Sequence, residues 1–396
     1  MQLDGYPEKQ VRITGIGQSR VGRPSDRSAM RLTLDACLQA IADAGLSVDQ
    51  IDGLVNHFGK VAGGGGISPV GTVETMLALG IRPVWTNPSS AEGPGHMGAI
   101  FQAVMAVATG LCRHVLVFRT LGQATARLAS RGSTLLTGSG ERVEGGNAFF
   151  VPYHAYSPAN MWALYAQAYF DKYGAGPEQL GWLAVNGRRM AAGNPNAIYR
   201  KPISLDDYLS SRMISSPLRL FDCDSHIDGS TALIISHKDA AKDLRNPPLA
   251  IEAMGMATGG IGEALHEGDF TSIPATRAGD MLWNRTDLTP QDLDCAQMYD
   301  GFSIHIWLWM EALRLAGRGE AGAFVDGGTR IALDGELPLN TSGGQLSAGR
   351  FHGYGHTHEA CVQLWGRGGE RQVRDARTCI VANGGYGYGA LLLRRD

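Results

Sequence analysis

The densest run of chemically able side chains lies near the C-terminus, in Asn340-Thr-Ser-Gly-Gly-Gln-Leu-Ser-Ala-Gly-Arg-Phe-His-Gly-Tyr-Gly-His-Thr-His-Glu-Ala-Cys. It reads as a glycine-rich turn entering a helix, and it carries Arg350, His352, Tyr354, His356 and His358. Histidine and tyrosine in such a turn suit proton transfer or hydrogen bonding to a ligand oxygen. His352 fits a partner for a substrate oxygen, and fits a hydrogen-bonded loop histidine equally well. His356 and His358 resemble a metal pair, but no third ligand follows at a suitable spacing and Glu359 points elsewhere on the helix, so no metal is expected. A second cluster is Gln297-Met-Tyr-Asp-Gly-Phe-Ser. Tyr299 there precedes a buried helix and could be core, while Asp300 could be a helix cap or first-turn acid. His96 closes a third stretch, Asn87-Pro-Ser-Ser-Ala-Glu-Gly-Pro-Gly-His. The run Gly384-Gly-Tyr-Gly-Tyr-Gly, with Gly385, follows a strand and reads as a backbone turn rather than a phosphate loop.

These residues need a frame, and the hydrophobic pattern supplies one. Val11 to Gly17 reads as a first strand. Ser28 to Gly45 has apolar residues at the spacing of a buried amphipathic helix. Asp49 to Asn56 reads as a turn and strand, and Gly98 to Gly110 as a small, apolar, central helix leading to the strand at Val115. The segment from about 122 to 217 breaks this rhythm with Gly/Ser stretches, an aromatic patch (Phe149 to Tyr173) and two helical patterns. It reads as an insertion that caps a site. A strand at Ser230 closes the first half; strands at Leu249 and Thr378, a helix after Tyr299 and another from His358 then repeat it in outline. Alternation of this kind predicts an α/β fold with strands buried on both faces.

Bulk properties agree with an enzyme of two similar halves. The chain has 396 residues, 44% hydrophobic and 18% charged, with a formal net charge of −3. That balance gives no basic face for nucleic acid. The 54 glycines cluster in short runs, as in tight turns. No apolar run approaches the ~20 residues of a membrane span, and the N-terminus lacks a signal-peptide pattern, so a cytoplasmic protein is expected. The six cysteines are scattered and expected to be reduced.

Three stretches, in this order and over essentially the whole chain, resemble the thiolase superfamily. Asn87 to Ala99 sits where a thiolase carries its nucleophilic cysteine at a helix N-terminus, which falls at or near Gly93. Tyr299-Asp-Gly-Phe resembles the thiolase Asn-Glu-Ala-Phe, with Tyr299 in the Asn place. In the 340–361 loop, Arg350 replaces the histidine of Gly-His-Pro, and near the C-terminus Ala382 takes the place of the second cysteine. The resemblance implies a thiolase fold: two similar βαβαβαββ halves, residues 1–246 and 247–396, in a five-layered α-β-α-β-α core with the 122–217 insertion. Within the superfamily the pattern is similar to the lipid-transfer branch, and there to steroid side-chain aldolases that work with an OB-fold (DUF35-type) partner. That branch implies catalytic tyrosines at positions matching Tyr299 and Tyr354, with His352 and Asp300 beside them. The candidate substrate or CoA surface beside them includes His96, Arg350, Ser342, Gly343 and Gly385.

The missing cysteines decide the chemistry that the resemblance implies. Without a thiol, no acyl-enzyme forms by the usual route. Retro-aldol cleavage of a β-hydroxyacyl-CoA needs only a base for the hydroxyl proton and donors for the thioester enolate. A tyrosine titrates near ~10 when unperturbed, so a tyrosinate base needs a cation such as Arg350 nearby. No cofactor is expected beyond the CoA of the substrate, and the resemblance implies a homodimer and an α2β2 complex with the OB-fold partner. A thiolase using displaced cysteines (Cys223 or Cys379) and a non-catalytic acyl-CoA- or lipid-binding scaffold are the competing readings.

Overall fold

The computed structural model describes residues 5–61, 65–89, 95–129, 148, 150–259, 263–264, 267–385 and 387–395. Its strands are β1 Val11–Gln18, β2 Gly53–His57, β3 Trp85–Ser89, β4 His114–Gly122, β5 Met213–Ser215, β6 Leu218–Arg219, β7 Asp228–His237, β8 Leu249–Thr258, β9 Cys295–Met298, β10 Thr378–Gly384 and β11 Gly387–Arg395. The described helices of eight residues or more are α1 Ala29–Ala44, α2 Thr72–Leu79, α3 Gly98–Ala108, α4 Pro158–Tyr173, α5 Pro177–Ala192, α6 Ala275–Trp283, α7 Ser303–Ala312 and α8 Tyr354–Leu364. Local signals explain their ends. The Ser28 side chain accepts from the Arg31 amide to open α1, and Gly45 closes it in the left-handed region at φ 77°.

Nine strands pair in the order β3-β2-β4-β7-β1-β8-β11-β10-β9. The order β3-β2-β4-β7-β1 in the first half is mirrored by β9-β10-β11-β8 in the second. The halves meet edge to edge through two pairs, Arg12 with Ala250 and Ile13 with Leu249. In the second half, a single parallel bridge from Leu339 to Ala296 stands where the first half has β3.

Side-chain alternation sorts these strands into layers. Val115, Val117, Leu233 and Ile235 share one apolar cluster with α3 and α8, while Leu116, Phe118, Ala232 and Ile234 face α1. On the other half, Cys379, Val381, Leu391 and Leu393 join the α3–α8 cluster, and Ile380, Ala382, Ala390 and Leu392 pack with α6 and α7. The result is the expected α-β-α-β-α core, with α3 and α8 as its middle layer.

One sequence expectation needs correction. The last core helix begins at Tyr354 rather than at His358, so Tyr354 occupies its first position. Gly353, at φ 82°, makes that early start possible. In the insertion, Trp162, Tyr165 and Tyr169 are buried in the outer core. Helices α2 and α6 and strand β3 had no distinct sequence signal.

Candidate active site

The parallel strands β2, β9 and β10 end beside the N-termini of α3 and α8. Ligand sites of α/β sheets form at such carboxyl ends. Tyr299 follows β9 directly, and its amide donates to the Ala382 carbonyl at 2.8 Å. Its ring folds back over Gly301, where an added Cβ would stand 2.8 Å from the phenol oxygen. Tyr354, at the start of α8, is fully buried. Between the two tyrosines runs a relay of rings. Tyr354 stacks on His57 (centroids 5.9 Å), His57 meets His96 (5.2 Å), and His96 meets Tyr299 (5.3 Å). His352 lies flat on His96, 4.8 Å away at an interplanar angle of 12°. The two predicted tyrosines, His352 and His96 therefore share one cluster.

A buried arginine organises this cluster. Arg119 projects from the apolar strand β4, is fully buried, and makes no ion pair with any carboxylate among the described residues. Its guanidinium donates to the His57 carbonyl at 2.9 Å and to His352 Nδ1 at 2.6 Å, and lies over the Phe58 ring at 5.0 Å. Burial pulls its pKa down to about 9, while the nearby oxygens of Tyr354 and Tyr299 act in the opposite sense. Burial, then the charge of Arg119, keeps His57 and His352 neutral and holds His96 at about 3. Burial likewise raises the Tyr354 hydroxyl, against the pull of Arg119 and the Ala99 amide of α3.

The hydrogen bonds fix complementary tautomers on the stacked pair. Arginine only donates, so His352 Nδ1 accepts and its proton sits on Nε2. Asn383 donates its amide to the His352 carbonyl at 2.9 Å, which leaves its oxygen to accept from His96 Nδ1 at 3.2 Å. His96 Nε2 is then a bare acceptor and His352 Nε2–H a donor.

The other predicted residues surround this centre in different ways. The Asp300 carboxylate accepts from the amides of Gln345 (2.8 Å) and Leu346 (3.3 Å) and lies 3.0 Å from His356 Nε2. It thus ties the Tyr299 motif to the 340–361 loop instead of capping the helix that follows it. Arg350 forms a bidentate pair with Asp224 and reaches His226 at 3.2 Å. Segment 222–226 is the bolt between motifs: Asp222 accepts from Ser303 at 2.7 Å, the Asp224 amide donates to the Gly301 carbonyl, and the Arg350 amide donates to the Ser225 carbonyl. Ser342 and Gly343 are seated on the insertion. The Ser342 carbonyl accepts from Asn194 at 2.9 Å, and a Cβ on Gly343 would lie 2.6 Å from Ala191 of α5. Ser342 borders a cleft with Gln18, Asn194, His358 and Arg371, apart from the ring cluster. Gly385 faces the cluster's outer end, between Trp162 and His305. Among the described residues no three His, Cys, Asp or Glu side chains converge as metal ligands. Position 93, matched to the thiolase nucleophile, lies outside the described residues.

Sequence reasoning missed Arg119, His57, His305 and Asn383. Arg119 had a readable signal, a charge inside the apolar strand Val115 to Leu121. His57, at the end of β2, had none. Asn383, just before the glycine-rich turn at Gly384, had none either.

Comparison with known proteins places this site in context. Residues 256–391 match the family model described as "Thiolase C-terminal domain-like". The 17-hydroxy-3-oxo-4-pregnene-20-carboxyl-CoA lyase of Mycobacterium tuberculosis is 33% identical, over 90% of this chain and 92% of that protein. The steroid side-chain-cleaving aldolase of Thermomonospora curvata is 31% identical over 97% of each. A solved Ltp2-ChsH2(DUF35) aldolase superposes with a TM-score of 0.86 at 31% identity, covering 98% of both chains.

Proposed function

The chain belongs to the thiolase superfamily, on the branch of the steroid side-chain-cleaving aldolases, and from that premise we propose that it is a retro-aldolase that cleaves a β-hydroxyacyl-CoA without a covalent acyl-enzyme. The observation that carries this reading is the buried Arg119, with no carboxylate partner among the described residues and with Tyr299 and Tyr354 both in its field. No activated thiol accompanies it. Burial pushes the thiols of Cys223 and Cys379, the two candidates for displaced thiolase chemistry, up and away from the reactive thiolate.

The roles divide along the ring relay. Tyr299 stands beside two guanidiniums, Arg119 and Arg350, and takes the β-hydroxyl proton. The O–H electron pair becomes the carbonyl π bond, the Cα–Cβ bond breaks, and its electrons form the thioester enolate. His352 Nε2–H, backed by Arg119, donates to the thioester oxygen as charge develops there. Tyr354, kept protonated by burial, returns a proton to Cα. The products are a ketone or aldehyde and a short acyl-CoA. Asp300 acts through the loop it holds and is a positioning residue. Arg350, tied to Asp224, contributes charge rather than a free donor.

The bulky polycyclic group that the relatives' names imply at the β-carbon is placed toward Trp162, where Gly385 carries no side chain. A compound such as 17-hydroxy-3-oxo-4-pregnene-20-carboxyl-CoA has the required β-hydroxy thioester, and its cleavage would give a 17-ketone and propionyl-CoA. The similarity to a DUF35 aldolase complex supports an OB-fold partner in an α2β2 assembly. The open edge of β3, with Thr86 and Pro88 exposed, supports pairing of two copies. No described helix is long and apolar enough to cross a membrane.

The test is turnover of that thioester by the chain with its OB-fold partner. Tyr299→Phe and Tyr354→Phe should each lower kcat by roughly 10²–10⁴-fold, the range for general acid–base groups, with KM within a few-fold. Full activity in both variants would end the two-tyrosine reading.

A further inference from the structure

We infer that His305 is a further catalytic residue, whose Nε2–H donates to the substrate's β-oxygen as it passes from hydroxyl to ketone. The inference rests on the retro-aldol reading above and deepens it.

His305 occupies the first turn of α7, three residues after the N-cap Phe302. The Phe302 amide donates to His305 Nδ1 at 2.9 Å, the reciprocal half of a capping box. The alternative, Nδ1–H donating to the Phe302 carbonyl at 3.1 Å, would strand that amide, and the carbonyl already accepts from the His305 amide. Nδ1 is therefore the acceptor and Nε2 carries the hydrogen. His305 is 1% exposed, yet Nε2 has no hydrogen-bond partner among the described residues. A buried donor left unmade costs about 1–3 kcal/mol, and native interiors keep few of them.

The position of that donor says what it meets. The His305 ring stands edge-on to Tyr299 at 5.2 Å and to Trp162 at 3.9 Å. An ideal Cβ on Gly385 would lie 3.9 Å from Nε2 and 3.7 Å from Trp162, so the absence of a side chain at Gly385 keeps this corner open. Arg119 and His352 lie toward Tyr354, where the thioester oxygen and Cα are placed. His305 lies at the other end, beside the base and the aromatic wall, where the β-carbon and its bulky substituent go. Being neutral, its Nε2–H can stabilise an alkoxide and then a ketone without competing for the proton that Tyr299 takes.

The experiment compares His305→Asn with the unaltered chain, each with its OB-fold partner. Asparagine can set its Oδ1 where Nδ1 stands, keeping an acceptor for the Phe302 amide, and has no atom that reaches as far as Nε2. The expected result is kcat lowered roughly 10²-fold, as for loss of one oxyanion donor. Product inhibition by a steroid 17-ketone should weaken about 3–10-fold, the worth of one neutral hydrogen bond, with inhibition by propionyl-CoA unchanged. A purely structural histidine would leave both inhibition constants alone. Unaltered kcat and ketone inhibition in His305→Asn would overturn the inference. Should that variant fold poorly, unaltered protein with 15N-labelled histidine rings serves instead: the ketone should shift a buried Nε2–H resonance, and no such shift would overturn the inference. If the unaltered complex cleaves no β-hydroxyacyl-CoA, the retro-aldol reading itself has failed; if it cleaves and the variant matches it, only the role of His305 has.

Discussion

Arg119 is the residue on which the site turns, because a buried cation with no carboxylate partner among the described residues is costly unless an anion forms beside it. Replacing it with methionine removes that cost along with its function. Arg119→Met should lose at least about 10²-fold in kcat, as for a lost electrostatic stabiliser, while its denaturation midpoint in urea stays level or rises. A midpoint that falls along with activity would mean that Arg119 is chiefly structural. At this scale the sequence was informative for tyrosines and uninformative for their partners. Tyr299, Tyr354, His352 and His96 stood in motifs that could be read in a line of letters. His57 and Asn383 are drawn in by strand pairing across tens to hundreds of residues, and no local spacing encodes that.

At the scale of elements, loop 340–353 is held on three sides. Asp300 takes its amides, α5 takes Gly343, and Asn383 takes the His352 carbonyl. Gly353 is the tightest point, for a Cβ there would lie 1.6 Å from Asn383 Nδ2 in a backbone with φ 82°. Gly353→Ala must displace Asn383, and with it the tautomer pair of His96 and His352. It should cost about 1–3 kcal/mol of stability through backbone strain and reduce activity far more than that loss explains, read by denaturant titration beside initial rates. Activity close to that of the unaltered chain would show that Asn383 does not set the pair. The strand–helix rhythm made most elements legible, as with α1 and β7. The start of α8 was misread because Gly353 and Gly355 look like turn residues, whereas one of them is the left-handed cap that lets Tyr354 begin the helix.

The whole molecule carries a pH signature. Unfolded histidines titrate near ~6.5, but folding lowers seven of them: His57, His96, His114, His226, His305, His352 and His358. Between the folded and unfolded values the unfolded chain binds more protons, so this stability is complete above ~6.5 and is lost as pH falls toward the folded values, about 3 for His96 and His305. Asp222, Asp224 and Glu311 are raised by burial and oppose the trend, being most stabilising at low pH and losing it as pH rises, through about 6 for Asp222. Seven groups against three predict that unfolding free energy drops by about 3 kcal/mol or more from pH 7.5 to pH 5. Urea titrations at the two pH values check this, and equal midpoints would show that the imidazoles are not buried neutral.

The layered fold was legible at this scale because the motifs recur in order on a repeated strand–helix rhythm. The joining of the halves through only two β1–β8 pairs was not, since edge contacts leave no periodic trace. The central claim is that this fold breaks a C–C bond without holding the acyl group. The most direct measurement is the product balance of the chain with its OB-fold partner, given 17-hydroxy-3-oxo-4-pregnene-20-carboxyl-CoA in D2O without added CoA. The account predicts equal amounts of 17-ketone and propionyl-CoA, with one solvent deuterium at Cα of the propionyl group and no acyl adduct in the intact protein mass. Cleavage that requires free CoA, or an acylated cysteine trapped during turnover, would contradict it.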